Sequence, residues 1–156
     1  MALRTLVLWV HALCGIAWVG ICASFVIATS ALGGESAERE DVATRAAPRI
    51  NRVCIALACL IPLSGLANLT FAAEARRFVL PAEFIAIVCA KVALFSAMAL
   101  ALWFAWAIAA RQPNSAGAEE RIEARGEATT KLTKLYGLTV AMGAAALVLG
   151  LWLSGT

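Results

Sequence analysis

Two ionisable residues lie inside apolar segments and are the first candidates for chemistry. The single histidine, His11, falls in an almost uninterrupted apolar run at positions 3–33, and Lys91 falls in another at 81–110. Each run exceeds the roughly 20 residues that a helix needs to cross the hydrocarbon core of a bilayer. An ionisable side chain at that depth is costly unless it is satisfied, and it is by default a candidate functional site.

The two side chains are expected at nearly the same depth. His11 follows the start of its span by about eight residues, or about 12 Å, and Lys91 by about ten residues, or about 15 Å. The first and third helices of an up-and-down bundle run in the same direction, so His11 and Lys91 could face one cavity. Burial favours the neutral forms of both groups, and neutral imidazole is a common metal ligand.

One face of the first span carries a histidine, a small residue and aromatic rings. His11, Gly15, Trp18, Cys22 and Phe25 point within about 40° of one direction at 100° per residue. A ligand, a gap and a flat ring beside one another suit a planar macrocycle such as haem. The same pattern also fits a packing stripe in which the imidazole hydrogen-bonds to a neighbouring helix, and both interpretations stay open.

A second possible set of metal ligands consists mainly of soft sulfur groups. His11, Cys14, Cys22 and Met98 together offer the nitrogen, thiol and thioether groups that suit copper in its monovalent state. The five cysteines all lie in apolar segments without a CxxC pair, and we interpret them mainly as small packing residues.

The composition predicts an integral membrane protein. The chain has 156 residues, of which 62% are hydrophobic, against about 45–50% in soluble domains. We predict one all-α transmembrane domain over 1–156, a four-helix bundle with spans at about 3–33, 51–73, 81–110 and 131–154. The segments 34–49, 74–80 and 111–130 are predicted to be polar connections. Pro62 should kink the second span, and Ser64 and Gly65 after it could line a cavity or allow close packing.

The charged residues predict an orientation. Nine Lys and Arg residues flank the first and third connections, against three at the other end of the spans. The first and third connections are therefore expected in the cytoplasm, with both termini on the outer, periplasmic side of a bacterial inner membrane. No basic patch with interleaved aromatic residues is present in the sequence, so we expect no nucleic-acid partner.

A family resemblance rests on short motifs in the first and third spans. The pattern His11-x6-Trp18-x-Gly20 resembles the first helix of the copper-resistance D (CopD) family and of the HemJ-type membrane protoporphyrinogen oxidases. Lys91, followed by Val-Ala-Leu, is similar to a Lys-Leu motif in the third helix of both groups.

The second span extends this resemblance over most of the chain. Arg49 and Arg52 lead into a span that ends Leu-Ser-Gly-Leu at 63–66, similar to the second helix of CopD domains. The resemblance implies a four-helix bundle in which His11 and Lys91 match two important positions of the oxidase group. In that group these positions are associated with binding haem b and with oxidising protoporphyrinogen IX.

Three functional hypotheses follow. The first is a haem-b redox protein, an oxidoreductase if it is an enzyme. His11 would be the axial ligand, and Lys91 the opposite ligand, a propionate partner or a proton donor. Gly15 and Trp18 would help to bind the porphyrin. The second is a copper uptake or transfer protein. The third is a non-catalytic subunit or assembly factor whose small residues pack against a second copy or a larger membrane complex.

Overall fold

The fold consists of four long helices. The computed structural model describes residues 2–32, 37–110 and 118–155, with side chains described within 2–32, 38–110 and 123–152. The helices are α1 (Ala2–Ala31), α2 (Ala37–Ala75), α3 (Ala82–Ala110) and α4 (Ala118–Gly155). Each contains a stretch long and apolar enough to cross a membrane. The predicted all-α class is therefore confirmed, with four helices that are long and apolar enough to span a membrane, and the orientation of the termini stays a prediction.

The helices run alternately up and down. Gly15 of α1 lies beside Leu147 of α4, whereas Thr29 of α1 lies beside Thr133, so α1 and α4 are antiparallel. Helix α1 packs against α2 and α4 and lies diagonally across from α3. Both termini and the α2–α3 turn share one end. We call the half at that end the terminal half (residues 2–15, 61–94 and 145–155) and the other the packed half (16–31, 37–60, 95–110 and 118–144).

Helices α2 and α4 begin much earlier than the predicted spans at 51 and 131. Most of the predicted connections 34–49 and 111–130 is helical, while positions 33–36 and 111–117 lie outside the described residues. Hydropathy marks the lipid-embedded part of a helix but not its continuation into water. The extension of α2 is stabilised because Ala43 and Ala47, one turn apart, join the same buried cluster as Leu132 of α4. Predicted bounds for α1 and α3 agree within two residues.

The packed half holds the core. Trp18 and Phe95 meet across the bundle as an edge-to-face pair with ring centroids 5.8 Å apart, and Phe25 packs on Tyr136 at 4.6 Å. Such aromatic pairs add attraction beyond the area that they bury. At Gly143 of α4 a Cβ atom would collide with Val19 of α1. A glycine is therefore needed where these two helices approach.

The terminal half buries fewer side chains than the packed half. Among the described side chains, Cys14 and Phe84 alone are buried there, whereas the rest of the buried residues lie in the packed half. The outer surface of all four helices carries large apolar side chains, each more than 60% exposed, such as Leu3, Leu63, Trp103 and Val148. This surface is compatible with contact to the lipid bilayer.

Candidate functional site

His11 is anchored to helix α2. Its Nδ1 atom lies 3.1 Å from the Ile61 carbonyl oxygen and 3.0 Å from Ser64 Oγ. A carbonyl oxygen only accepts, and the Ser64 hydroxyl already donates to the Leu60 carbonyl at 2.7 Å. The network therefore assigns the ring proton to Nδ1. The lone pair stays on Nε2, the arrangement found when histidine binds a metal and its other nitrogen donates to a backbone carbonyl.

The segment after Pro62 forms the surface on which the imidazole rests. Helix α2 continues through Pro62 without a break. A Cβ atom on Gly65 would lie 3.1 Å from His11 Cε1, so a side chain at this position would press on the ring. The sequence left open whether this segment lines a cavity or allows close packing. The structure supports close packing, and the group that packs against the segment is the His11 side chain.

Lys91 rests on helix α4 in the same way. Its Nζ atom lies 3.1 Å from the position that a Cβ atom on Gly150 would occupy. Within the described part of the chain, Lys91 has no carboxylate within ion-pair distance. The lysine is half-buried.

The depths of the two residues can be read from the Trp18–Phe95 contact. His11 lies seven residues from Trp18, or about 10 Å towards the terminal end, and Lys91 lies four residues from Phe95, or about 6 Å. The two side chains thus differ in depth by about 4 Å on diagonally opposed helices. The structure therefore places the two ionisable residues that the sequence singled out at similar depths in the terminal half.

Asn68 completes a polar set in the terminal half. It lies one turn after Ser64 on α2, and its Nδ2 atom is buried with no hydrogen-bond partner among the described residues. A buried amide N–H without an acceptor is uncommon in native structures. We call His11, Ser64, Asn68 and Lys91 the terminal polar site. Sequence reasoning missed Asn68, although its position one helical turn from Ser64 was a readable signal.

Gly15 and Trp18 occupy different surroundings. A Cβ atom on Gly15 would make only ordinary contact, at 3.9 Å, with Leu147. Trp18 is fully buried against Phe95 in the packed half, two helical turns from His11. Its ring therefore packs in the core and does not lie beside the imidazole.

The predicted copper ligands do not converge. His11 and Cys22 are eleven residues apart on one helix, or about 16 Å along its axis. No group of three or more His, Cys, Asp or Glu residues able to hold a metal occurs among the described residues. Cys22 instead faces Cys54 of α2, because the contact of His11 with Gly65 sets the register of these two antiparallel helices.

Comparison of the chain with protein-family models, with curated proteins and with solved structures finds no match in any of the three. The resemblance to CopD and HemJ-type proteins therefore stays a prediction.

Proposed function

We propose that the terminal polar site binds haem b and that the protein is a membrane redox protein. The observation that carries this proposal is the anchored imidazole. Because Nδ1 of His11 donates to the Ile61 carbonyl, Nε2 keeps its lone pair for an iron atom. A single histidine is sufficient, since haem iron accepts one axial imidazole from the protein.

The other residues of the site suit the remaining parts of this ligand. Haem b carries two propionates, and Lys91 is a cation with no carboxylate partner within the described segments. The buried Asn68 amide needs an acceptor, which a propionate or a ring substituent would supply. Gly65 and Gly150 let the His11 and Lys91 side chains lie against the neighbouring helices. The imidazole nitrogen, the cation and the amide of this chain are therefore a donor set that suits the group.

Each residue has a separate task in this proposal. His11 binds the iron, and the Ile61 carbonyl orients its ring and makes Nε2 more basic. Lys91 offsets the charge of a propionate in a medium where an unpaired charge is costly. When bound, haem would supply one-electron transfer. A related tetrapyrrole, protoporphyrinogen IX, is the substrate that the family resemblance implies for an enzyme of this kind.

An absorption spectrum tests the proposal. Protein made in haem-replete cells and purified in detergent is measured oxidised and then reduced with dithionite. We expect a Soret band with sharp reduced bands, and we expect His11→Ala to lose them completely. The matched control is Cys14→Ala, a change on the same helix at a buried residue outside the site, which should retain the spectrum.

Two results would contradict haem binding at the terminal polar site. One is wild-type protein that is monodisperse and helical but has no Soret band. The other is a band of undiminished intensity and position in His11→Ala, which would show that the pigment is held elsewhere.

A further inference from the structure

A pair of thiols is enclosed in the packed half. Cys22 of α1 and Cys54 of α2 are each 0% exposed, and both are free. His11 of α1 contacts Gly65 of α2, and eleven residues further along each of these antiparallel helices the same register puts Cys22 opposite Cys54. They are separate from the terminal polar site, because Cys22 is about 16 Å from His11 along the helix axis. Nothing in the proposed haem chemistry uses them.

Tyr136 of α4 holds the two helices together beside these thiols. Its ring packs on Phe25 of α1, and its hydroxyl donates to Oδ1 of Asn51 of α2 at 2.6 Å. Phe25 and Asn51 each lie one helical turn from a cysteine of the pair. The tyrosine therefore fixes the register that puts Cys22 opposite Cys54.

Two buried N–H donors near the thiols have no acceptor. Trp18 Nε1 and Asn51 Nδ2 are completely buried and have no hydrogen-bond partner within the described residues. The Trp18 indole lies near the Cys22 thiol but does not form a regular hydrogen bond with it. A neutral thiol is a weak acceptor, whereas an anionic sulfur accepts N–H donors well. The two N–H groups therefore favour the deprotonated, thiolate form of a neighbouring cysteine over the neutral thiol.

We propose that Cys22 and Cys54 bind one soft monovalent cation of the Cu(I) class as a two-coordinate dithiolate. Two S–H bonds break, two sulfur–metal bonds form, and two protons are released without any change of oxidation state. The complex carries one negative charge, which the N–H groups of Trp18 and Asn51 stabilise. Thiolate ligands select soft ions, and a two-ligand site does not meet the four-coordinate preference of zinc.

The test is a titration of the full chain with Cu(I). Protein purified in detergent under anaerobic, reducing conditions competes for Cu(I) with a chromophoric chelator. The parent carries Cys59→Ser and Cys89→Ser, which removes two exposed cysteines. We expect one Cu(I) per chain. Because losing an outer partner already costs about 10–100-fold in metal affinity, Cys22→Ser and Cys54→Ser should each cost at least about 100-fold.

Three further measurements distinguish a specific site from general affinity for thiols. Trp18→Phe keeps an aromatic ring but removes the N–H donor, and we expect about tenfold weaker binding. Cys14→Ser, at another buried cysteine, should leave the affinity unchanged. X-ray absorption of the Cu(I) complex should show two sulfur ligands only.

Three outcomes would overturn the proposal. They are less than one Cu(I) bound by the parent, undiminished affinity in the Cys22→Ser/Cys54→Ser double variant, and nitrogen ligands in the absorption spectrum. If the serine variants fail to elute as monodisperse protein, the spectrum of the parent decides between two sulfur ligands and any other set.

Discussion

The packed half and the terminal half are built from the same four helices but use glycine differently. In the packed half, Gly143 of α4 admits Val19 of α1, so two helices interlock through apolar atoms. In the terminal half, Gly65 and Gly150 admit the side chains of His11 and Lys91. His11 and Lys91 thus each rest on a glycine of a neighbouring helix.

The consequences differ for stability and for function. In membranes, helices associate through close packing and interhelical hydrogen bonds, and small residues allow both. The apolar interlock at Gly143 contributes to stability, whereas the contacts at Gly65 and Gly150 hold polar groups at defined positions with partial exposure. In this bundle the less completely packed half holds the anchored imidazole of His11 and the half-buried Lys91. Mutations of glycine should therefore have different effects in the two halves.

The largest effect on stability is expected for Gly143→Ala. The new Cβ atom collides with the branched side chain of Val19 and comes within 3.4 Å of Met98. Overpacking of this kind costs about 1–3 kcal/mol of unfolding free energy. The measurement is a denaturation titration in mixed micelles. The control is Gly137→Ala on the same helix, which meets nothing within 4 Å and should be neutral or stabilising by up to about 1 kcal/mol.

If Gly143→Ala were as stable as Gly137→Ala, the close approach of α1 and α4 would contribute nothing to the fold. The distinction between the two halves would then be lost.

Gly65→Ala should affect binding more than folding. Its Cβ atom would lie 3.1 Å from the imidazole, so the ring must shift by a few tenths of an ångström from its carbonyl partner. We expect about tenfold weaker haem binding, the effect of disturbing a partner outside the ligand shell. Haem titration of the apoprotein measures this effect. Gly20→Ala, with nothing within 4 Å, is the control, and equal affinities in both variants would contradict the proposed contact.

The smallest effect is expected for Ser64→Ala. The change removes one acceptor beside His11 Nδ1 but leaves the Ile61 carbonyl, so haem affinity should fall by less than about tenfold. Ser96→Ala is the control, because Ser96 also donates to a backbone carbonyl one turn back but lies away from the site. Complete loss of the Soret band in Ser64→Ala would mean that the hydroxyl, not the carbonyl, orients the ring.

The helices themselves were largely readable from the sequence. Long, predominantly apolar runs must satisfy their backbone groups internally, so hydropathy alone predicts helices and places the ends of α1 and α3 within two residues. Hydropathy did not predict that α2 and α4 begin well before their apolar segments. Ala43 and Ala47 are buried only because Leu132 of a distant segment joins the same cluster.

The candidate site also has one part that the sequence predicted and another that only the packing of the helices decided. Residue type and helical rise were sufficient to predict that His11 and Lys91 lie at similar depths within two apolar helices, because both quantities depend on one helix at a time. The carbonyl that orients the imidazole, the two glycines beneath the ionisable side chains and the pairing of Cys22 with Cys54 depend on the register between helices. That register follows from side-chain packing across the bundle, and no local pattern in a single apolar segment specifies it.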